Sequence, residues 1–425
     1  MVLSAGSAVM ADETESETSN VNEDGSVNDP SQVEVDENKL VMWSLFTGGD
    51  GEYMTKIIDD YNATSPSKQV QAITLVWADY YTKLQTADKG PDIGLSHVSK
   101  LPELVDQGVV EPLNDYLDEL GVDLSSMYTQ NSLDSVTFDG EIYAIPLDTH
   151  AEVMYYNKDI LEKAGVELNA DGKLDISSLD DFKAMLDKVK AVMGDGESPL
   201  SLPNTGDDPY RVWWATYYQL GGTPIVNDDG TEVTLDKDKA VEAAEFVKSL
   251  YDDGYVATGI DDHQKLFQSG KAGFLFGGTW AVGVMESTDG LNFNVQSFPQ
   301  LFDEDHCWAD SHTFILPVNG DRDEDETKAA VEFMVAACKD GGLTWAGSGQ
   351  IPANTEVTGN EEYAALPYRS NYQDEVEKAV LPAKNPHFYA MKDGMIQSLD
   401  TIWTGTNDAA TGIDALVDEL SSNLE

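Results

Sequence analysis

Residues 267–283 read FQSGKAGFLFGGTWAVG, and the order of an apolar run, paired glycines and an aromatic decides the fold. Ala272, Gly273, Phe274, Leu275 and Phe276 form a short apolar run that suits a strand buried on both faces. Gly277 and Gly278 break it: without a Cβ the backbone turns sharply and approaches a ligand closely. Thr279 is expected to cap a helix that begins near Trp280. That places Trp280 at the carboxyl end of a strand, where open α/β sheets bind ligands, and its indole offers a flat apolar face with one N–H donor. Taken alone, Trp280 reads equally well as core.

Upstream, residues 40–45 give a strand and TGGDG at 47–51 a turn. Met54, Ile57, Ile58 and Tyr61 then mark one helix face, and 70–76 is the next strand. That order is a βαβ unit with a right-handed crossover. A helix over 80–87, a strand at PDIGL (91–95) and a helix in SKLPELVDQG continue the alternation. TFDGEIYAIP at 137–146 is a hairpin around Asp139-Gly140. LDTHAEVMYYNKDILEKAG, 147–165, combines an extended crossing segment with a helix start. Helices follow over 175–192, 209–220 (PYRVWWATYYQL, stopped by Gly221-Gly222) and 240–251, with a hairpin around Asp229-Gly230 at 227–235. FNVQSFP and HTFILPV read as strands, and 328–338, 391–403 and 414–420 as helices. The class is α/β.

At 425 residues two domains are expected. Hydrophobic residues, 41 % of the chain, fall in short runs, none reaching the roughly 18 of a membrane span. A formal charge of −53 repels phosphate backbones and anionic lipid, which excludes nucleic acid as a partner. Arg211, Arg322 and Arg369 are the only arginines, so an arginine clamp on a bulky anion is not expected. Residues 1–11, MVLSAGSAVMA, read as the remnant of a signal peptide. Residues 12–37, acidic and without Lys or Arg, read as a disordered linker. No cysteine precedes Cys307, so a lipid anchor is not expected in this chain, and Cys307 and Cys338 read as buried free thiols.

The six histidines, His97, His150, His263, His306, His312 and His387, show neither HExxH nor i,i+4 spacing, so no metal site is expected. Asp310-Ser311-His312 holds triad residue types side by side, but no GxSxG elbow accompanies it. Two EF-hand echoes fail at their twelfth positions, Ser178 and Asp236. Among 78 acids a glycosidase pair has no distinguishing signal. What stands out is aromatic and polar residues at turns after strands: Trp43, Trp77, Tyr81, His97, Tyr210, Trp213, Trp214, Trp280 and His312. Sugars present apolar C–H faces and a hydroxyl rim, and a site for them needs flat aromatic walls plus side chains that hydrogen-bond the rim.

GKAGFLFGGTW resembles the glycine-rich turn carrying a sugar-stacking tryptophan in the extracellular solute-binding proteins of carbohydrate ABC transporters, the maltose-binding-protein-like family. The resemblance extends from about residue 39 to the C-terminus. It implies a two-lobed periplasmic-binding-protein-like fold, each lobe a central, mostly parallel sheet flanked by helices. Residues 38–148 and 296–345 would form lobe 1, 149–295 and 346–425 lobe 2, with hinge segments between. It implies a monomeric binding protein, not an enzyme, that captures a neutral carbohydrate, expected to be an oligosaccharide, by lobe closure and delivers it to ABC permease subunits. The place implied is extracellular, cell-surface associated or periplasmic, with no cofactor and no metal. The ligand-binding positions it implies are Phe46, Thr47, Tyr81, Ser96, His97, Asp148 and His150 on one wall, to which the aromatic pattern adds Trp43 and Trp77. Tyr210, Trp213, Gly278, Trp280, Asp310, His312 and Gln350 form the rest. A secreted glycoside hydrolase and a receptor for a peptide or polyamine are the rival readings.

Overall fold

The computed structural model describes residues 33–47, 49–87, 89–227 and 230–424. The expectations for 1–11 and most of 12–37, and the turn residue Asp229, lie outside the described residues. Among the described residues, no helix is long and apolar enough to cross a membrane.

Two large apolar cores organise the chain. The first gathers Leu40, Met42, Ile58, Leu95, Ile145, Phe314, Phe333 and Trp345. The second gathers Ala151, Tyr156, Phe182, Trp213, Phe274, Trp308, Met391 and Leu420. In the first, Leu40–Ser44 pairs in parallel with Val70–Thr74 across the helix Gly51–Ala63. That helix buries Met54, Ile57 and Ile58, as their spacing predicts. Gly94–His97 and Ala144–Pro146 flank His312–Ile315, both antiparallel. The predicted hairpin forms between Thr137–Phe138 and Glu141–Ile142, with Asp139 and Gly140 at φ of 51° and 85°. Both positive angles are what a two-residue primed turn demands.

The second core is built on the long strand Asp148–Asn157, whose β-branched, aromatic and aliphatic residues are buried along nearly its whole length. Ala272–Gly278, Phe293–Ser297, Cys307–Asp310 and Ile351–Pro352 all pair with it antiparallel. Ser198–Ser201 joins Ala272–Gly278 in parallel. The sheets are therefore mixed, not mostly parallel. The reason is the route: the chain runs outward between the cores along Asp148–Asn157 and returns through Cys307–Ile315, so the connecting strands oppose each other.

That return is later than the expected boundary at 296. Phe298, Leu301, Cys307, Trp308 and Ala309 pack in the second core, and Phe314 and Ile315 are the first residues of the returning strand to enter the first. Cys307 and Cys338, both free and buried, sit in different cores.

The stretch around Trp280 departs from expectation in detail. The strand runs on through Gly278, a single 3₁₀ turn covers Thr279–Ala281, and the helix starts at Val282. Thr279 caps nothing; its hydroxyl donates to Gln350 Oε1 at 2.8 Å. Gly278 is required for a different reason than a turn, because a Cβ there would lie 2.0 Å from the Trp280 ring.

Candidate functional site

A cavity of about 320 Å³ opens between the two cores. The first core contributes the loop after Leu40–Ser44 (Phe46, Thr47, Asp50), Trp77 at the start of the helix Trp77–Thr86, His97 at the end of its strand, and Ser99. The crossing strands contribute His150, Asp310 and His312. The second core supplies Asp207 and Arg211 from the helix Asp207–Gln219, Trp280, Trp308, and Phe388, Tyr389 and Lys392 from the helix Phe388–Trp403.

Strand register assembles the floor. His312 lies directly across from His97, and Asp310 directly across from His150. Three imidazoles that are far apart in sequence thereby meet, with ring centroids 4.2 Å (His150 and His312), 4.7 Å (His97 and His312) and 5.3 Å (His97 and His150) apart. Beneath them Asp148 is fully buried. Its Oδ1 accepts from the His312 backbone N–H at 2.9 Å and lies 3.2 Å from His150 Nδ1. Its Oδ2 lies 2.9 Å from His312 Nδ1 and accepts from Trp345 Nε1 at 2.8 Å. Tyr81 Oη accepts from the His97 backbone N–H at 2.8 Å and lies 2.9 Å from His97 Nδ1.

Charge is balanced locally. Burial, with the His312 and His150 charges adding to it, holds His97 well below the usual imidazole range, and burial with the His312 charge lowers His150. Burial also opposes the charged form of His312, but the Asp148 carboxylate outweighs it and His312 is raised. Asp148 itself is pushed up by burial and pulled further down by the two imidazoles, ending below the ordinary carboxylate range. Burial raises Asp50 to about 6.

The Arg211 guanidinium lies between two indoles, 4.8 Å from the Trp280 ring and 4.6 Å from that of Trp308. Its Nη1 donates to Asp208 at 2.7 Å, and Lys392 donates to Asp207 at 2.9 Å. Each cation of the second wall therefore has its own carboxylate. Trp77, 41 % exposed, stands at the mouth with its ring edge-on to His97 at 4.9 Å.

Of the positions expected on the cleft, Phe46, Thr47, Trp77, His97, His150, Trp280, Asp310, His312 and Gln350 line the cavity. Tyr81 and Asp148 sit one layer behind, holding the histidines. Ser96 is buried in its strand and Trp43 packs on the first core, so neither lines the cavity. Gly278 makes room for Trp280. Tyr210 and Trp213 do not line it either: both are fully buried in the second core, where Trp213 donates to the Ala240 carbonyl at 3.0 Å and stacks on Tyr217. On that helix the face turned to the cleft carries Asp207 and Arg211, an i,i+4 pair. The aromatics are its core face, and the charged pair was the signal that sequence reasoning passed over. Trp308, Tyr389 and Lys392 were also missed, because nothing local marks them.

The expectation of no metal-ligating group rested on local spacing. The fold instead brings one nitrogen from each of His97, His150 and His312 to within 4.8 Å of one another.

The sequence profile described as "Bacterial extracellular solute-binding protein" matches residues 56–370, well over half of the chain. A binding protein of Brucella abortus is 28 % identical over 264 residues, covering 60 % of this chain and 61 % of that protein. The chain thus spans about three fifths of the length of that relative. The maltotriose-binding protein of Pyrococcus abyssi is 21 % identical over 388 residues, 87 % of this chain and 79 % of that one. Among solved structures, the GacH receptor of Streptomyces glaucescens, described unliganded and with acarbose, matches with a TM-score of 0.79 at 20 % identity. The match covers 91 % of this chain and 98 % of that one. An ABC substrate-binding protein of Listeria monocytogenes in complex with cycloalternan matches with a TM-score of 0.76 at 20 % identity, covering 91 % and 99 %. The fold is the two-lobed one of these proteins.

Proposed function

The chain belongs to the bacterial extracellular solute-binding proteins, and from that premise we propose that its cleft captures a neutral oligosaccharide and that lobe closure presents it to an ABC permease outside the cytoplasm. The observation that carries this reading is the composition of the cleft walls. Trp77, Trp280 and Trp308 offer apolar faces, and Asp50, Asp310, Gln350 and the histidines offer hydrogen-bonding groups between them. That alternation fits a ring with apolar C–H faces and a hydroxyl rim. Neutrality is supported by the pairing of Arg211 and Lys392, the Arg and Lys side chains that line the cavity among the described residues, each with a carboxylate. Relatives named for maltotriose, arabinooligosaccharide and galactooligosaccharide support the class.

In this reading residues 38–148 and about 310–345 form one lobe and 149–309 with 346–425 the other. The crossing strands act as the hinge. The cleft binds and carries no reaction. Thermal-shift and calorimetric screening of malto-, manno-, galacto- and arabino-oligosaccharides tests it. A ligand at 100-fold its Kd adds about 2.7 kcal/mol to stability. A folded protein whose melting no glycan in millimolar excess moves would refute the reading.

A further inference from the structure

We propose that the three histidines of the cleft floor bind one divalent transition-metal ion of the zinc class through the Nε2 atoms of His97, His150 and His312. The inference does not rest on the oligosaccharide reading.

Geometry carries it. Zinc bound by imidazole at about 2.0–2.1 Å in a tetrahedral site sets its ligand nitrogens roughly 3.3 Å apart. One nitrogen of each ring already lies within 4.8 Å of its counterparts on the other two, so modest side-chain rotations bring a ligand set to the spacing of a tetrahedral site. Each ring is also held from behind. His150 and His312 direct Nδ1 at the two oxygens of one buried carboxylate, Asp148. Such a bond fixes the Nδ1–H tautomer and frees Nε2 as a lone-pair donor. Tyr81 Oη stands 2.9 Å from Nδ1 of His97 and is able to accept Nδ1–H, which gives the same tautomer. Three metal-binding imidazoles, each with its second nitrogen anchored, are the pattern in which a ligating histidine is found. All three rings line the cavity, so an ion held by them would keep its fourth position for water or for a hydroxyl of whatever the cleft holds. An all-nitrogen set favours zinc, cobalt, nickel or copper over calcium or magnesium, which take oxygen.

The alternative use of these rings is to hydrogen-bond a ligand's hydroxyls with no ion present. Chelator-treated full chain is titrated with ZnCl2 by calorimetry in excess MgCl2, which occupies the many surface carboxylates. CoCl2 is then titrated with visible absorption as the readout. One zinc per chain and cobalt bands of a nitrogen-rich tetrahedral site are expected. His150→Gln and His312→Gln, read in preparations shown to be folded by circular dichroism, each lower zinc affinity at least tenfold, and Asp148→Asn lowers it about 10- to 100-fold.

Zinc uptake that magnesium abolishes, absent cobalt bands, or folded glutamine variants that bind zinc as the parent does would each overturn the site. The cobalt spectrum of the unaltered chain keeps the test valid should a variant fail to fold. Glycan titrations run in chelator separate the two readings. Normal glycan binding without zinc uptake sinks the metal site alone, and zinc uptake without any glycan response sinks the oligosaccharide reading alone.

Discussion

Replacing Asp148 by Ala removes one buried carboxylate that accepts from groups on both sides of the cleft floor. Two of its partners have no substitute. The Trp345 indole N–H and the His312 backbone N–H, at 2.8 and 2.9 Å, are both buried, and each would be left unpaired. An orphaned buried donor costs about 1–3 kcal/mol, so the variant is expected to lose about 2–6 kcal/mol. The two imidazoles can shift tautomer and add less. Asp148→Asn sharpens the test. In either orientation its amide NH2 meets one of the fixed N–H donors, so about half of that loss, 1–3 kcal/mol, is expected.

Simple charge reasoning predicts the opposite sign. In a chain of formal charge −53, deleting any carboxylate relieves self-repulsion and stabilises. Urea unfolding followed by fluorescence and circular dichroism decides, with the slope compared between variants so that only midpoints at unchanged slope are read as stability. An Asn variant as stable as the parent, or an Ala variant within about 1 kcal/mol of it, would mean that Asp148 does not hold the floor as described.

Trp280→Ala removes an indole face worth about 1.5–3 kcal/mol, so affinity for the best oligosaccharide falls about ten- to more than a hundredfold by calorimetry; unchanged affinity in the folded variant removes Trp280 from the site. Burial pushes Glu375 up to about 8, against an ordinary value of 4.5, so the folded chain holds a proton there that the unfolded chain has lost. This group's contribution is intact below about pH 4.5 and is lost as pH rises to about 8, at up to about 1.4 kcal/mol per unit. Asp50 and Glu152 are raised by burial too, so the comparison is with Glu375→Gln, whose stability should fall less steeply across that window. Parallel pH profiles would contradict it. Burial pushes the Cys338 thiol up to about 12 and raises Cys307, so neither should react with a thiol reagent in the native state, and both should react in urea. Fast labelling of either in the native protein would show that its core opens.

Features encoded within a few residues were legible beforehand. The helix face of Met54, Ile57 and Ile58, the Asp139-Gly140 hairpin and the buried strand before Trp280 depend on periodicity and turn chemistry that the sequence displays. The floor was not legible as a unit. His97, His150 and His312 were each placed at the cleft, but their convergence depends on the pairing of strands more than a hundred residues apart in sequence. Local spacing, the usual guide to a metal group, is blind to that. Arg211 was hidden by its neighbours: in PYRVWWATYYQL the aromatics drew the reading to themselves, and only the helix face distinguishes the residues that meet the core from the pair that meets the cleft. FNVQSFP carries the second sheet past residue 296, a pairing with Asp148–Asn157 that local sequence does not announce.

The interleaved path also governs how the protein is made. The first core spans Leu40 to Trp345, and the second needs Phe388 to Leu420 in addition to the strand beginning at Asp148. On the ribosome the first core cannot close until residues near 345 have emerged, and the second waits for nearly the last residue. For most of synthesis the nascent chain therefore exposes apolar segments whose partners do not yet exist, and such segments invite aggregation unless something holds them. The first core can close once residues near 345 are present and the second only with those near 420, so stalled chains shorter than about 340 residues should be cut by protease throughout, with resistance gained late, first by the first core and then by the second.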